Sequence, residues 1–324
     1  MNKKRSLLSI LIPILLSLLL LSGCSRQSKE DLANEEAYRQ LGINEMSAGN
    51  YEEALSMFQK ALDLSPARIS DLELDICYYK AAAQYLCGDS EGAIDTYTSL
   101  ISYNSKNADA YYLRGTVSLA SSDTEAALTD FKSSLKYDKK NASRYNMIAE
   151  RLISVGLTED ADTILTEATE LKGSSLSDTR ELGVSYLLLG EYDTAETYLS
   201  KAKEGGDTEA IYELARLYEA IGDTEQASAM YLAYAEASGD STEVLNDLGQ
   251  DKLAHGEYEK ALSFFQTALQ NESADNRQEL LRGEIASLEY LSDFSGAREK
   301  MESYLAEYPD DESAQREYEF LKSR

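Results

Sequence analysis

Three thiols and one imidazole carry most of the chemistry open to this chain, and their spacing does not assemble it. The cysteines are Cys24, Cys77 and Cys87, and the histidine is His255. Cys77 and Cys87 fall on one predicted helix, about 15 Å apart along its axis and facing different directions. A disulfide needs Cα atoms within about 7 Å, so the two read as small buried hydrophobes rather than a redox pair. His255 directly precedes Gly256 at the tip of another predicted helix, a favourable place for an imidazolium. With no close Cys it offers zinc no ligand set. The chain has no Gly-rich phosphate loop and no nucleophile elbow. Its 58 Asp and Glu are so evenly spread that no pair stands out as general acid and base. The reading is a non-enzymatic chain with no metal and no cofactor.

Charge restricts the partners. Against the 58 acids stand 31 Lys and Arg, a net charge of −27. Such a surface repels nucleic acid and bare anionic lipid. It favours cationic proteins or peptides, although many of these charges simply keep helix exteriors solvated.

The elements that must position these residues follow a repeated phrase. Gly49-Asn50-Tyr51-Glu52-Glu53-Ala54 returns at Gly88, Ser122, Gly156, Gly190, Gly222, Gly256 and Ser292. The closing residues Ala54, Ala93, Ala127, Ala161, Ala195, Ala227, Ala261 and Ala297 are separated by 39, 34, 34, 34, 32, 34 and 36 positions. A period near 34 belongs to stacked helix–turn–helix units. Glycine at positive φ stops one helix. Asp, Asn, Ser or Thr after it caps the next, with Glu in the first turn. Glu191 and Glu257 are poorer caps, and Leu157 is none. The alanine marks the close approach of the two helices. In the first copy, helix A is expected over about 35–48 and helix B over about 51–64. The wide gap before Ala93 predicts a longer first helix in copy two, from near Ser70-Asp71. Ala314, Tyr318 and Leu321 predict one more amphipathic helix after Pro309.

Around the phrase, Tyr38, Leu41 and Gly42 precede, and Phe58, Ala61, Leu64 and Pro66 follow. Copy five carries Leu182, Gly183, Tyr186, Tyr192, Ala195 and Ala202, and copy seven Leu248, Gly249, Tyr258, Ala261, Phe265 and Ala268. This pattern resembles the tetratricopeptide repeat. The resemblance implies an all-α, right-handed superhelical solenoid of about eight repeats over 35–310, closed by a capping helix over 311–324. Lys80, Arg114 and Glu284 depart from it, standing where the family usually has Leu.

Residues 1–23 are not part of that array. Lys3, Lys4 and Arg5 precede an apolar run, Leu7 to Leu21, too short to span a membrane comfortably, which needs about 20 residues. Such a run reads as a secretory signal. Leu21-Ser22-Gly23-Cys24 resembles the lipobox of bacterial lipoproteins, which implies cleavage before Cys24 and diacylglyceryl attachment to it. Residues 24–34 then form a polar, lipidated tether to the cell membrane on its extracytoplasmic side.

In the tetratricopeptide family, positions of each helix A line a concave face where ligands commonly lie. That register selects Arg39, Tyr78, Tyr112, Asn146, Arg180, Tyr212, Asn246 and Arg282, with Tyr85 and Arg216 on the same face. Around them lie Glu36, Asp75, Asp109, Glu150, Glu209, Glu219, Glu243, Glu279 and Glu289, a net-negative surface unlike the family's carboxylate clamp. The expectation is a lipid-anchored envelope scaffold that binds a protein or peptide with a basic segment and no nucleic acid. A lipoprotein assembly factor and a noncatalytic spacer are the alternatives.

Overall fold

The computed structural model describes residues 29–65, 69–239, 241–271 and 274–324. The signal, Cys24 and the start of the tether lie outside the described residues. Every regular element among those described is an α-helix. The chain forms two compact units that divide at Val155-Gly156. The first holds α1 (Lys29–Ser47), α2 (Tyr51–Asp63), α3 (Asp71–Leu86), α4 (Ser90–Tyr103), α5 (Ala108–Ala120), α6 (Thr124–Tyr137) and α7 (Ala142–Ser154). The second holds α8 (Thr158–Thr169), α9 (Leu176–Leu188), α10 (Tyr192–Glu204), α11 (Glu209–Ala220), α12 (Thr224–Ala237) and α13 (Ser241–Ala254). It continues through α14 (Tyr258–Ala268), α15 (Arg277–Tyr290), α16 (Phe294–Glu307) and α17 (Glu312–Leu321). Within each unit the odd-numbered A helices and even-numbered B helices pack as hairpins on their neighbours in sequence. The closing helix α17 lies against α16.

Each phrase makes the turn its residues imply. Gly49, Gly88, Gly156, Gly190, Gly222 and Gly256 all take positive φ. Where serine replaces glycine the geometry is kept, with φ at 66° for Ser122 and 62° for Ser292. An L-residue held there is strained by roughly 1–2 kcal/mol. Asp89, Asp123, Asp223 and Asp293 then cap the B helices through their side chains. Leu157, Glu191 and Glu257 form no side-chain cap. Asn50 forms none either. Its amide donates to Glu45 at 2.9 Å instead, which takes it away from the helix start.

All eight phrase alanines are buried. A second small residue completes the contact in several hairpins. A methyl group placed on Gly42, Gly115 or Gly249 would meet the ring of Phe58, Phe131 or Phe265 at 2.4, 2.9 and 2.6 Å. Gly183 stands in the same relation to Leu199, at 2.7 Å. In each pair the large residue lies sixteen positions on, on helix B, fully buried. Phe265 is enclosed on two sides, because a methyl group placed on Gly283 of the next helix A would meet the same ring at 2.5 Å.

Two expectations are corrected. Among the described residues, α1 already runs through Lys29 to Asn34 rather than starting near 35, with Glu30 and Asp31 in its first turn. Nothing in 29–34 breaks a helix, so these residues extend the first repeat instead of the tether. Cys87 is exposed, not buried. It is the C-cap of α3, where its thiol donates to the Gln84 carbonyl. Cys77 is half-buried, and burial raises its thiol pKa. Both thiols are free.

Two substitutions test the turn and the contact. Ser122→Gly should stabilise the first unit by about 0.5–1 kcal/mol, because relief of the left-handed strain exceeds the added chain entropy. Denaturant midpoints measure this, and a lowered midpoint would contradict the turn reading. Gly249→Ala should destabilise the second unit by about 1–3 kcal/mol, since Phe265 has no room to give. A gain of helix stability, as alanine gives in an open helix, would show that the close contact does not exist.

Candidate functional site

Within each unit, most of the selected residues face a neighbouring repeat rather than open solvent. Arg39 pairs with Asp75 of the next helix A. Arg180 on α9 donates to Asp207, just before α11, at 2.9 and 3.1 Å, and to Glu181 at 3.0 Å. Arg282 on α15 donates to Glu317 on α17 at 2.6 Å. Asn246 reaches Glu279 at 3.5 Å. The Tyr78 hydroxyl donates to Asn107 at 2.8 Å. Arg216 bonds Glu213 at 2.9 Å.

Burial divides the row further. Tyr112 is only 5% exposed, its ring beside Phe131 and under the Arg144 guanidinium, 4.6 Å from the ring centre. Asn146 and Asn246 are also buried. Tyr85, at 36%, is the most open member, at the C-terminal end of α3. Tyr212 is half-buried among Tyr231 and Tyr234, whose ring centres lie 5.8 and 5.4 Å away. Arg144 was not among the selected residues. It takes a place in the row by pairing with Asp109 while stacking on Tyr112. Its sequence signal was a cation one repeat, 35 residues, beyond an acid.

Several acids of this face are likewise engaged. Glu219 accepts from Tyr231 at 2.8 Å, Lys260 at 2.8 Å and Lys252 at 3.1 Å. Burial alone would raise its carboxyl pKa, but these donors outweigh it and hold it below the usual range. Glu209 accepts from Tyr234 at 3.3 Å. The local balance is therefore less negative than a count of helix A acids implies.

The charged residues in the family's Leu slot are compensated. Arg114 grips Asp130 through two bonds, of 2.8 and 2.7 Å, and reaches Thr98 at 2.8 Å. The Asp130 bond raises the Arg114 pKa against the lowering effect of burial. Glu284 is buried and meets Lys300 at 2.8 Å and Gln266 at 3.1 Å. Lys80 donates to Gln59 at 3.0 Å.

Open space on the A-helix side lies in the second unit. A cavity of about 700 Å³ between α13 and α15 is lined by Glu243, Asn246, Asp247, Asp275, Asn276 and Glu279, among others. Its neighbour, about 430 Å³, shares Asn246 and Glu279 and adds Gln250, Gln278, Arg282, Tyr304 and Asp311. Four carboxylates thus border the first cavity, and Glu243, Asp247, Asp275 and Glu279 are all solvent-exposed. Among the described residues, no three His, Cys, Asp or Glu are arranged to hold a metal ion. His255 is exposed at the end of α13, with Nδ1 2.8 Å from the Asp251 carbonyl.

Comparison with known proteins agrees with this architecture. Sequence profiles of the tetratricopeptide repeat match residues 35–68, 88–142 and 186–250. These three segments of the chain are tetratricopeptide repeats. Among solved structures it is similar to a tetratricopeptide repeat protein from Parabacteroides merdae, with 20% identity, 79% of this chain and 99% of that one covered, and a TM-score of 0.45. It is also similar to Pseudomonas aeruginosa pilF, with 19% identity, 66% and 98% covered, and a TM-score of 0.40. A thermophilic TPR protein of Thermus thermophilus gives 21% identity, 56% and 98% covered, and a TM-score of 0.38. No curated protein matches the sequence significantly. The fold is that of a protein-interaction scaffold.

The paired slots make a direct prediction. Arg114→Leu leaves Asp130, 4% exposed, as an unpaired buried charge, at a cost of about 3–5 kcal/mol. Arg114→Leu with Asp130→Leu should recover most of that loss. A double-mutant cycle by denaturant unfolding measures the coupling. Strictly additive effects would mean that the pair is not a unit.

Proposed function

We propose that this chain is a lipid-anchored scaffold of the bacterial cell envelope that holds a partner protein or peptide, through a basic segment, on its A-helix face. The observation that carries the reading is the pair of adjoining cavities between α13 and α15. They are large enough for several side chains, and the exposed carboxylates of Glu243, Asp247, Asp275 and Glu279 border them. A Lys or Arg of the partner would gain charge pairing there. The net charge of −27 favours fast encounter with a cationic partner.

The anchor rests on Leu21-Ser22-Gly23-Cys24 behind a basic start and an apolar run. Lipid on Cys24 would hold the array at the extracytoplasmic side of the cell membrane, and two acyl chains give stable attachment where one is marginal. A second reading, a noncatalytic spacer, is favoured by one observation. Arg39, Arg180 and Arg282 are spent on bonds between repeats, so that part of the row serves the array itself.

The two readings separate by experiment. A photo-crosslinking residue at the exposed position Gln250 should capture one chain in intact cells, joined through a Lys- or Arg-rich segment. Glu243→Lys with Glu279→Lys should then weaken binding of that chain at least about tenfold and abolish its decline with salt. Lys132→Ala with Lys136→Ala should do little. Equal binding by the Glu243/Glu279 variant would overturn the site and leave the spacer. Intact mass of the membrane-bound protein should show loss of residues 1–23 and added lipid, and Cys24→Ala should leave the leader uncut. Wild-type protein that keeps Met1–Gly23 would overturn the anchor.

A further inference from the structure

The net charge of −27 hides one basic edge. Lys106, Lys132, Lys136, Lys139 and Lys140 all lie in the first unit, and all are exposed. Lys132 and Lys136 stand one turn apart on α6, and Lys139 and Lys140 follow in the loop to α7. Lys106 lies in the preceding loop of the same kind, between α4 and α5. Packing brings these segments together. The Ser134 hydroxyl of α6 donates to the Ala108 carbonyl at 2.8 Å, and the Tyr111 and Tyr137 rings stack with centres 5.8 Å apart. Arg144 of α7 pairs with Asp109 of α5, and the Tyr145 hydroxyl donates to the Lys139 carbonyl at 3.3 Å.

These lysines are not spent on the array. Among the described residues none of the five forms an ion pair, whereas Arg39, Arg114, Arg180 and Arg282 are all held by carboxylates. The acids beside the two loops, Asp109 and Asp138, both face Arg144. Asp130 is held by Arg114, and α7 has no acid in its first turn. Tyr103, 55% exposed at the end of α4, adds a ring with an apolar body and a polar tip. The same edge at the first hairpin is mixed, with Asp63 and Asp71 as well as Lys60, so the basic stretch belongs to α4 through α7.

Direction alternates along the hairpins, so α1, α3, α5 and α7 all begin on the edge that carries these loops. The chain ahead of Lys29 therefore joins α1 on the lysine edge. Cys24 lies five positions before Lys29, a reach of no more than about 18 Å.

We propose that this edge is a second membrane contact: its five lysines lie against the phosphates of anionic lipid headgroups and turn the α4–α7 edge toward the bilayer. The nearness of the bilayer rests on the lipid-anchor reading, and the lysine cluster does not. A basic patch beside an anchor is drawn to anionic lipid over about a Debye length and reinforces the anchor. Spread over a helix face and two loops, the ammonium groups match a layer of phosphates rather than one bound anion. The acidic remainder of the surface is repelled by the same layer, so the charge distribution selects this edge.

The test is lysine footprinting with a soluble acetylating reagent, read by mass spectrometry. The full-length protein extracted from membranes is reconstituted into vesicles of phosphatidylcholine, or of phosphatidylcholine and phosphatidylglycerol in equal parts. Labelling of the five lysines should fall at least about threefold in the anionic vesicles alone, and recover as salt screens the contact. Lys260 and Lys322 of the second unit should label equally in both. Lys139→Glu with Lys140→Glu should restore labelling of Lys106, Lys132 and Lys136, while Lys139→Arg with Lys140→Arg should leave them protected. Equal labelling in the two lipids overturns the contact, as does protection by soluble polyphosphate but not by anionic vesicles. The anchor is read separately, by intact mass of the same samples. Lipid on Cys24 with unprotected lysines overturns the edge alone, and protected lysines on a chain without that lipid overturn the anchor alone.

Discussion

The structure depends on what is missing where two helices of a hairpin meet. At that point helix B supplies an alanine, and in four hairpins helix A supplies a glycine whose bare backbone receives a large side chain sixteen residues on. Phe58, Phe131, Leu199 and Phe265 can be fully buried only because nothing projects from Gly42, Gly115, Gly183 and Gly249. Close packing of this kind gains dispersion contacts along the crossing, and it also forbids enlargement at either end. The positive-φ turn serves the same constraint. It ends one helix sharply enough for the next to return at contact distance, and Ser122 and Ser292 accept strain to keep it.

With the hairpin interior settled by small residues and rings, polar groups are left to fix how one hairpin meets the next. Arg39–Asp75, Arg144–Asp109, Arg180–Asp207 and Arg282–Glu317 each tie an A helix to a segment about one repeat away. Such pairs add little net stability where they reach solvent. Half-buried, they penalise every wrong register, because a slipped repeat strands a charge. Arg114 and Glu284 carry the logic inside the hairpin, where a charge in an aliphatic slot is tolerated because its partner stands opposite. A strongly acidic chain can in this way spend its scarce cations on structure and still keep an open acidic border at Glu243, Asp247, Asp275 and Glu279.

The hairpins were legible in the sequence because their determinants are local. Glycine, cap and alanine sit within six residues, and the longer α3, starting at Asp71 behind Ser70, showed in the spacing before Ala93. The start of α1 was not legible, since Asp31 and Asn34 are cap types that lie inside the helix instead of beginning it. Asn50 had the right type for a cap, but Glu45 competed for its side chain. The role of these A-helix residues in pairing was hidden. Whether Arg180 faces a ligand or Asp207 depends on the packing of two repeats, which no single repeat encodes. Tyr112 misled for a related reason, because its ring is covered by Arg144 from the next A helix.

The central claim is that each hairpin is locked at its own small-residue contact and coupled mainly to its neighbours, as in repeat arrays whose stability is a sum of local parts. Residue-resolved native-state hydrogen exchange of Ala195→Leu tests it most directly, since Ala195 is fully buried within the second unit. The account predicts lost protection in α9, α10 and the adjoining α11, with α15 and α16 exchanging as in the wild type. Protection lost evenly from α9 to α17 would mean that the second unit is one cooperative globule, and would contradict it.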